Sequence, residues 1–440
     1  MRDWMRWRPE AFAAFLREHR ISRFYFVYDD ARGRVIASHE LLQPIAEFLQ
    51  HDRRDFARHE GIFCQVSRHF DVIMGAFVHK TVRGQSQGGT RFWQYDTVEA
   101  YLRDGLRLSL GMTRKNALAG LWWGGGKGVI TRDRQADHRD PQIREAIFKE
   151  YGSFITSIRG CYVTAEDVGT NTEDMANIFS RTRFVTCIPE AYGGSGNPSI
   201  ATARGVVCGM EAALEFLQGD SLAGKTVAVQ GVGHVGAALV GFLFEKGVEK
   251  IIASDIDAGL LEALKKRYAG RNLELRLASI GDNSLATVPC DLFAPCATGA
   301  VLNPQTIPDI KARIICGAAN NQLEDPIRDD ALLAERGIIY VPDFLVNRMG
   351  IVNCSNEQYG YVNHDEMIER HLGREWEHSI YLTTLRVLKT ARESGEPPGQ
   401  VANKLADQLA EQPHPIFGHR GKQIIRSLVD SGWHETGEPA

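Results

Sequence analysis

Apolar positions along the chain keep two different rhythms, and the change from one to the other organises the reading. The first twenty residues have helical spacing. RFYFVYDD (23–30) and RVIAS (34–38) read as strands joined by the turn Ala31-Arg32-Gly33. Residues 40–60 look polar and partly helical, and HFDVIMGAFVHKTV (69–82) is strand-like. TVEAYLRDGLRLSLGMTRKNALAG (97–120) returns to helical spacing, with Leu102, Leu106 and Leu110 on one face. A turn is expected at Gly124–Gly126, then a strand from KGVIT (127–131), a helix over IREAIFKEYGSFITSI (143–158) and a strand at CYVTAEDV (161–168). From Lys225 to about Pro342 short apolar strands alternate with helices: TVAVQG, IIASDID, CDLFAPCA, RIICGAA and GIIYVPDF. That alternation predicts βαβ units around a parallel sheet.

The turn-forming cluster YGGSGNPS (192–199), followed by the helix ATARGVVCGMEAALEFL, marks a boundary. The expected fold class is therefore α/β with two domains, 1–199 and 200–345. Residues 346–440 return to the first as a long helical region and a frayed polar tail, GWHETGEPA. A chain of 440 residues is longer than one core usually serves, which agrees with two domains.

Composition narrows the function classes. With 24% charged residues and a net charge of -4, neither nucleic acid nor an acidic membrane is an expected partner. No apolar run approaches the roughly 18 residues of a membrane span, and charges are spread through the opening segment, unlike a secretory leader. Eight cysteines without CxxC or Cys/His zinc spacing suggest buried thiols in a reducing, cytoplasmic compartment, and no metal is expected.

Gly231-Val232-Gly233-His234-Val235-Gly236 fits G-x-G-x-x-G, with a strand before it and a helix after it. In that context the first glycine permits the tight turn, the second lets a pyrophosphate approach the backbone, and the third packs helix on strand. The phosphates would sit at the positive end of the helix. Asp255, nineteen residues after Gly236, stands where a carboxylate receives ribose hydroxyls and repels a 2′-phosphate, so NAD is the expected cofactor.

Lys115 (GMTRKNALAG) and Lys127 (GLWWGGGKGV) are the candidate chemistry. Lys127 follows two tryptophans and three glycines, and desolvation there would bring an ammonium toward neutrality, as a base requires. The string lacks the glycine and the Ser or Thr of a phosphate-binding loop. Asp167 ends a strand, a common place for a catalytic side chain. Taken singly, each lysine also fits a solvated surface charge and Asp167 a helix cap.

Several motifs in order over residues 86–360 decide between these readings: GGTR (88–91), GMTRKNALAG (111–120), GGGKG (124–128), TAEDVGT (164–170), SGNPS (195–199), the fingerprint, NNQL (320–323) and the Asn347–Gly350 turn. In these the chain resembles the glutamate/leucine/phenylalanine/valine dehydrogenase family, closer to the leucine and phenylalanine branch. The resemblance implies NAD-dependent interconversion of an L-amino acid with its 2-oxo acid and ammonia. It also implies a catalytic first domain through which a homo-oligomer assembles. By position, Lys115 would pair with the substrate α-carboxylate, Lys127 activate water, and Asp167 exchange protons with the amino group. Gly88 and Gly89 would let the substrate come close, with Met112 nearby, and Asn320, Asn321 and Asn347 would line the nicotinamide end of the cofactor.

The chain departs from the family at Gln87, where the leucine branch has an apolar residue and glutamate dehydrogenases a lysine. With Ala165, Ile351 and Cys354 it would line the side-chain pocket, either facing the ligand or folded back onto the backbone. Where the family reads N-A-G-G, this chain has Asn347-Arg348-Met349-Gly350, which implies a reshaped loop or side chains projecting toward the cleft. Glutamate-type or other polar specificity, and an inactive nucleotide-binding relative, are the competing expectations. Retention of Lys115, Lys127 and Asp167 together counts against the inactive one.

Overall fold

The computed structural model describes residues 4–360 and 364–436, which are built around two sheets. The first contains β1 (Arg23–Asp29), β2 (Arg34–Ala37), β3 (Gly61–Val66), β4 (Ile73–Lys80), β5 (Ser86–Trp93), β6 (Gly124–Thr131) and β7 (Tyr162–Glu166), in the order β2-β1-β3-β4-β6-β5-β7. The pairs from β2 through to β4–β6 are antiparallel, whereas β6, β5 and β7 run parallel. Parallel neighbours need crossovers, supplied here by the helices Val98–Leu118 and Pro141–Ser157.

Two of these strands escape the periodicity. β3 is buried along its whole length, so it shows none of the alternation of a half-exposed strand. β5 carries the glycine pair and polar side chains that ordinarily weaken a strand. The expected glycine turn is also corrected, because Gly124, Gly125 and Gly126 lie inside β6. A Cβ at Gly124 would come within 2.1 Å of the Lys80 carbonyl oxygen, and one at Gly125 within 2.2 Å of the Thr113 nitrogen. The run of glycines lets β4 and the helix Val98–Leu118 close onto β6.

The second sheet contains β8 (Thr226–Gln230), β9 (Lys250–Asp255), β10 (Leu273–Leu277), β11 (Leu292–Pro295), β12 (Ile314–Ile315) and β13 (Ile339–Tyr340), all parallel, in the order β10-β9-β8-β11-β12-β13. This is the doubly wound Rossmann order, whose ligand crevice opens at the carboxyl ends of the strands where the winding reverses, between β8 and β11.

The C-terminal helices tie the two sheets together. Ile380–Ser394 packs on Ser199–Gln218, and Pro398–Ala410 packs on Val98–Leu118, where Arg114 meets Asp407 at 2.9 Å. The expected frayed tail is corrected up to residue 436. Trp433 is buried against Phe63 and Phe154, and its indole N–H donates to Ser157 Oγ at 3.0 Å. Residues 437–440 lie outside the described residues, as do the first three of the opening helical stretch.

Candidate active site

Strand alternation and register assign the functional side chains to one face of the first sheet. Gln87 pairs with Gly125 and Val163, Gly89 with Ala165, and Arg91 with Val129. Side chains two apart share a face, so Gln87, Gly89, Arg91, Lys127, Ala165 and Asp167 belong together. On the opposite face Thr90 meets the Tyr151 hydroxyl of the helix Pro141–Ser157 and the Thr164 hydroxyl.

Lys127 and Asp167 form an ion pair, with Nζ 3.0 Å from Oδ2. Burial pushes the Lys127 ammonium below the usual lysine range, Asp167 opposes that, and Arg91 adds to it. Burial alone would raise the Asp167 carboxyl, but Lys127 and Arg91 outweigh it and hold the group below its ordinary value. Lys115 sits on the last turn of Val98–Leu118, where burial brings its ammonium down to about 8 despite the opposing Asp343. Its Nζ lies 3.5 Å from Asn320 Oδ1, which also accepts the Asn347 amide at 2.8 Å. Asn320 follows β12 and Asn347 follows β13, so this lysine, on a helix packed against the first sheet, reaches the carboxyl ends of the second sheet.

The glycine pair has a role within the protein itself. A Cβ on Gly88 would lie 1.9 Å from the Gly126 carbonyl oxygen and 2.9 Å from Met112 Cγ. One on Gly89 would lie 2.7 Å from Asp167 Cβ. Both glycines are therefore needed by the close approach of β6 and β7 before any ligand is considered, and the expectation that they serve substrate approach needs that amendment.

Around the glycine-rich turn, Gly231 has φ +93° and its Cβ would meet Ala297 at 2.7 Å. Gly236 approaches the Gly231 carbonyl so closely that a Cβ would lie 2.0 Å from it. Gly233 has open space where its Cβ would be, and it begins the helix His234–Glu245 with no side-chain cap. A free helix N-terminus beside an open glycine suits a pyrophosphate. His234 is exposed and Val235 half-buried at that helix start. Asp255, at the end of β9, accepts the Val232 N–H at 2.7 Å, so it clamps the turn. The Asn347 amide oxygen is buried without a partner, a free acceptor at the other end of the crevice. Asn321 is exposed with φ +54°, and its N–H donates to Asp343 at 2.7 Å, so its backbone rather than its side chain is engaged.

The family model described as Glutamate/Leucine/Phenylalanine/Valine dehydrogenase matches residues 193–410, and the Glu/Leu/Phe/Val dehydrogenase dimerisation domain matches 65–184. Leucine dehydrogenase of Geobacillus stearothermophilus is 41% identical over 335 residues, covering 76% of this chain and 86% of that protein. The chain belongs to the glutamate/leucine/phenylalanine/valine dehydrogenase family. Phenylalanine dehydrogenase of Lysinibacillus sphaericus is 39% identical over 310 residues, covering 69% of this chain and 78% of that one. The crystal structure of L-tryptophan dehydrogenase from Nostoc punctiforme superposes with a TM-score of 0.66 at 34% identity, covering 80% and 96% of the two chains. This amino-acid dehydrogenase is an oxidoreductase acting on CH–NH2, and its family implies a dinucleotide cofactor.

Further groups of the dehydrogenase join the candidate site. Arg91 reaches Asp167 Oδ2 at 3.4 Å and is itself held by Asp104 at 2.9 Å, whose carboxylate accepts the Tyr95 hydroxyl at 2.7 Å. Arg91 ends the GGTR motif two residues after Gly89, and strand alternation alone would have put it on the site face. Asp343, electrostatically coupled to Lys115, had no such signal because the two are far apart in sequence. Ile351 and Cys354 share a face of the helix Met349–Tyr359. The Cys354 sulfur lies 3.1 Å from that of Cys187, which is itself held in a left-handed backbone (φ +61°). The nearby Glu357 carboxylate accepts the Cys187 N–H at 2.9 Å. Gln87 is fully buried, and neither atom of its amide has a partner in the protein, so the alternative in which it folds back onto the backbone is not what the structure has. The loop departure is resolved in the same way: Arg348 and Met349 are both fully buried, and Arg348 donates to the Leu118 carbonyl at 2.7 Å.

Proposed function

We propose that this chain carries out reversible NAD-dependent oxidative deamination of an L-amino acid of the leucine, valine or phenylalanine class. The observation that carries the reading is the Lys127–Asp167 pair at 3.0 Å, on a sheet face that Lys115 connects to Asn320 and Asn347. When bound, a nicotinamide dinucleotide supplies the redox step by accepting hydride from the substrate Cα. Lys115 holds the α-carboxylate as a cation in a half-buried place, fixing which face of Cα is presented. Lys127, its ammonium already destabilised by burial, takes a proton from the water that adds to the imino carbon. Asp167, kept ionised, takes and returns the proton of the substrate nitrogen. Arg91 and Asp104 fix the Asp167 carboxylate in the orientation this exchange requires.

The preference for NAD is supported by Asp255, a carboxylate fixed by the Val232 N–H where a 2′-phosphate would have to sit. The unpartnered Gln87 amide supports a preferred side chain that is large or carries a polar group. We assign 1–199 with 346–440 to catalysis and to assembly of a homo-oligomer, 200–345 to the dinucleotide, and the protein to the cytoplasm. The match of 65–184 to a family dimerisation domain supports the second role.

The test is Lys127→Ala, assayed by NADH absorbance against the twenty L-amino acids. We expect kcat to fall by about a hundred- to ten-thousandfold on the preferred substrate, with NADH binding retained. Near-normal turnover would place the base elsewhere.

A further inference from the structure

Behind the site, where the family's small residues are replaced by Arg348, the structure gathers two arginines and two uncharged histidines. Arg348 is fully buried; it donates to the carbonyls of Leu118 and His378, and its Nε has no partner. Arg386, on the helix Ile380–Ser394, has Nε and Nη2 buried without partners. His371 is fully buried with both ring nitrogens unpartnered, and Nδ1 of His378 is in the same condition. The hydroxyls of Thr383 and Thr384 are buried and unpartnered as well. Burial brings Arg348 down to about 9, and the nearby Arg386 pushes the same way. Burial takes His371 to about 2, with Arg348, His378 and Arg370 adding to it. Among the described residues no carboxylate makes an ion pair with Arg348, Arg386 or His371. The one acidic contact is Glu377, 3.8 Å from His378 and mostly in solvent.

A buried guanidinium is ordinarily matched by a carboxylate, and a buried donor left unpaired is destabilising. Native interiors hold few such atoms. Here Arg348 lies close enough to Arg386, His371 and His378 to perturb their charged forms or be perturbed by them. The free arginine nitrogens are donors, and the neutral imidazoles each add one donor and one acceptor. A tetrahedral oxyanion offers acceptors in several directions and two or more negative charges, which the Arg forks match. We propose that Arg348, Arg386, His371 and His378 form a binding site for a phosphate-type oxyanion, supplied as inorganic phosphate or as the phosphate of a small metabolite. The site is separate from the glycine-rich turn that would hold the dinucleotide. Arg348 directly follows Asn347 and is bonded to the carbonyl of Leu118, three residues beyond Lys115. An anion bound there would act on both the nicotinamide-side asparagine and the carboxylate-binding lysine.

The test is thermal unfolding of the full-length protein, with NADH present to fill the glycine-rich turn, titrated with inorganic phosphate and with sodium chloride at equal ionic strength. The native protein should show a saturable rise in Tm with phosphate and none with chloride. Arg386→Gln should weaken the phosphate response at least about tenfold. In phosphate-free buffer the variant should be as stable as the native protein or more so, because an uncompensated buried charge has gone. A phosphate effect no larger than that of chloride overturns the proposal, whatever the variant does. So does a phosphate effect unchanged by Arg386→Gln, which would be adventitious binding elsewhere. Loss of stability of Arg386→Gln in phosphate-free buffer overturns it too, since the arginine would then have a protein partner. Parallel titrations with a sugar phosphate and the parent sugar separate the sources. Tighter binding of the sugar phosphate identifies a phosphorylated metabolite, and equal binding identifies free phosphate.

Discussion

Replacing Gln87 with leucine removes a buried amide while nearly keeping its volume. The side chain is fully buried, and the protein gives neither its nitrogen nor its oxygen a partner. An aliphatic substrate side chain bound against it would leave the amide unpaired once water is expelled. That penalty is about 1–3 kcal/mol, or roughly five- to a hundred-fifty-fold in kcat/KM. Gln87→Leu should therefore raise kcat/KM for leucine and valine, relative to the best polar or large substrate, by a factor in that range. The assay is NADH formation across a panel of amino acids for both proteins, read as ratios so that a general loss of activity cancels. Thermal stability without substrate should stay the same or rise, because an unsatisfied polar group has been exchanged for an apolar one. If leucine and valine already rank first and the substitution leaves the ranking unchanged, the amide does not face the ligand and the reasoning is wrong. A marked drop in Tm would show instead that the amide has a structural partner.

Two further outcomes follow from distances in the site. Activity should rise with pH as Lys127 loses its proton, over an acidic limb below the ordinary lysine range. Asp167 holds that proton on, so Asp167→Asn should lower kcat and also move the limb of the residual activity to lower pH. A limb that stays in place would mean that another group sets it. Asp255→Ser should narrow the preference for NAD over NADP by about tenfold or more, measured as the ratio of kcat/KM values. Equal use of the two cofactors by the unmodified protein would show that Asp255 points away from the ribose.

The second sheet was legible because every βαβ step repeats one pattern and the glycine fingerprint marks its first turn. The exception is β10, a short edge strand with none of its residues buried, so LELRL lacks the apolar run of its neighbours. The first sheet was harder to see. Gly88, Gly89 and Gly124–Gly126 look like turn residues, yet they are strand residues because β4, β6, β7 and the helix Val98–Leu118 come too close for side chains. Local preference pointed to a turn, and tertiary packing overrode it. Lys115, Lys127 and Asp167 could be found from their motifs. Alternation along GGTR places Arg91 on the site face, but its pairing with Asp104 and the coupling of Asp343 to Lys115 depend on how the helix Val98–Leu118 and the second sheet close over the first. Arg348 stood out as a departure, but nothing in its neighbours along the chain announced that it would be fully buried.

The return of the C-terminus to the first sheet sets a timetable for folding. Arg23 on β1 donates to the Thr436 hydroxyl at 3.1 Å, a contact spanning 413 positions, and Trp433 fills the space between Phe63 and Phe154. Contacts of such separation close late, because the loop entropy must be overcome before they form. On the ribosome the strands around Lys127 and Asp167 are made before the Rossmann sheet, yet part of their core stays open until Trp433 and Thr436 emerge. The Rossmann sheet, whose strands all lie within 226–340, can assemble in the interval. The sheet that carries Lys127 and Asp167 is thus synthesised before the Rossmann sheet and sealed after it. Truncation before Trp433 should accordingly destabilise the first sheet and leave the second intact.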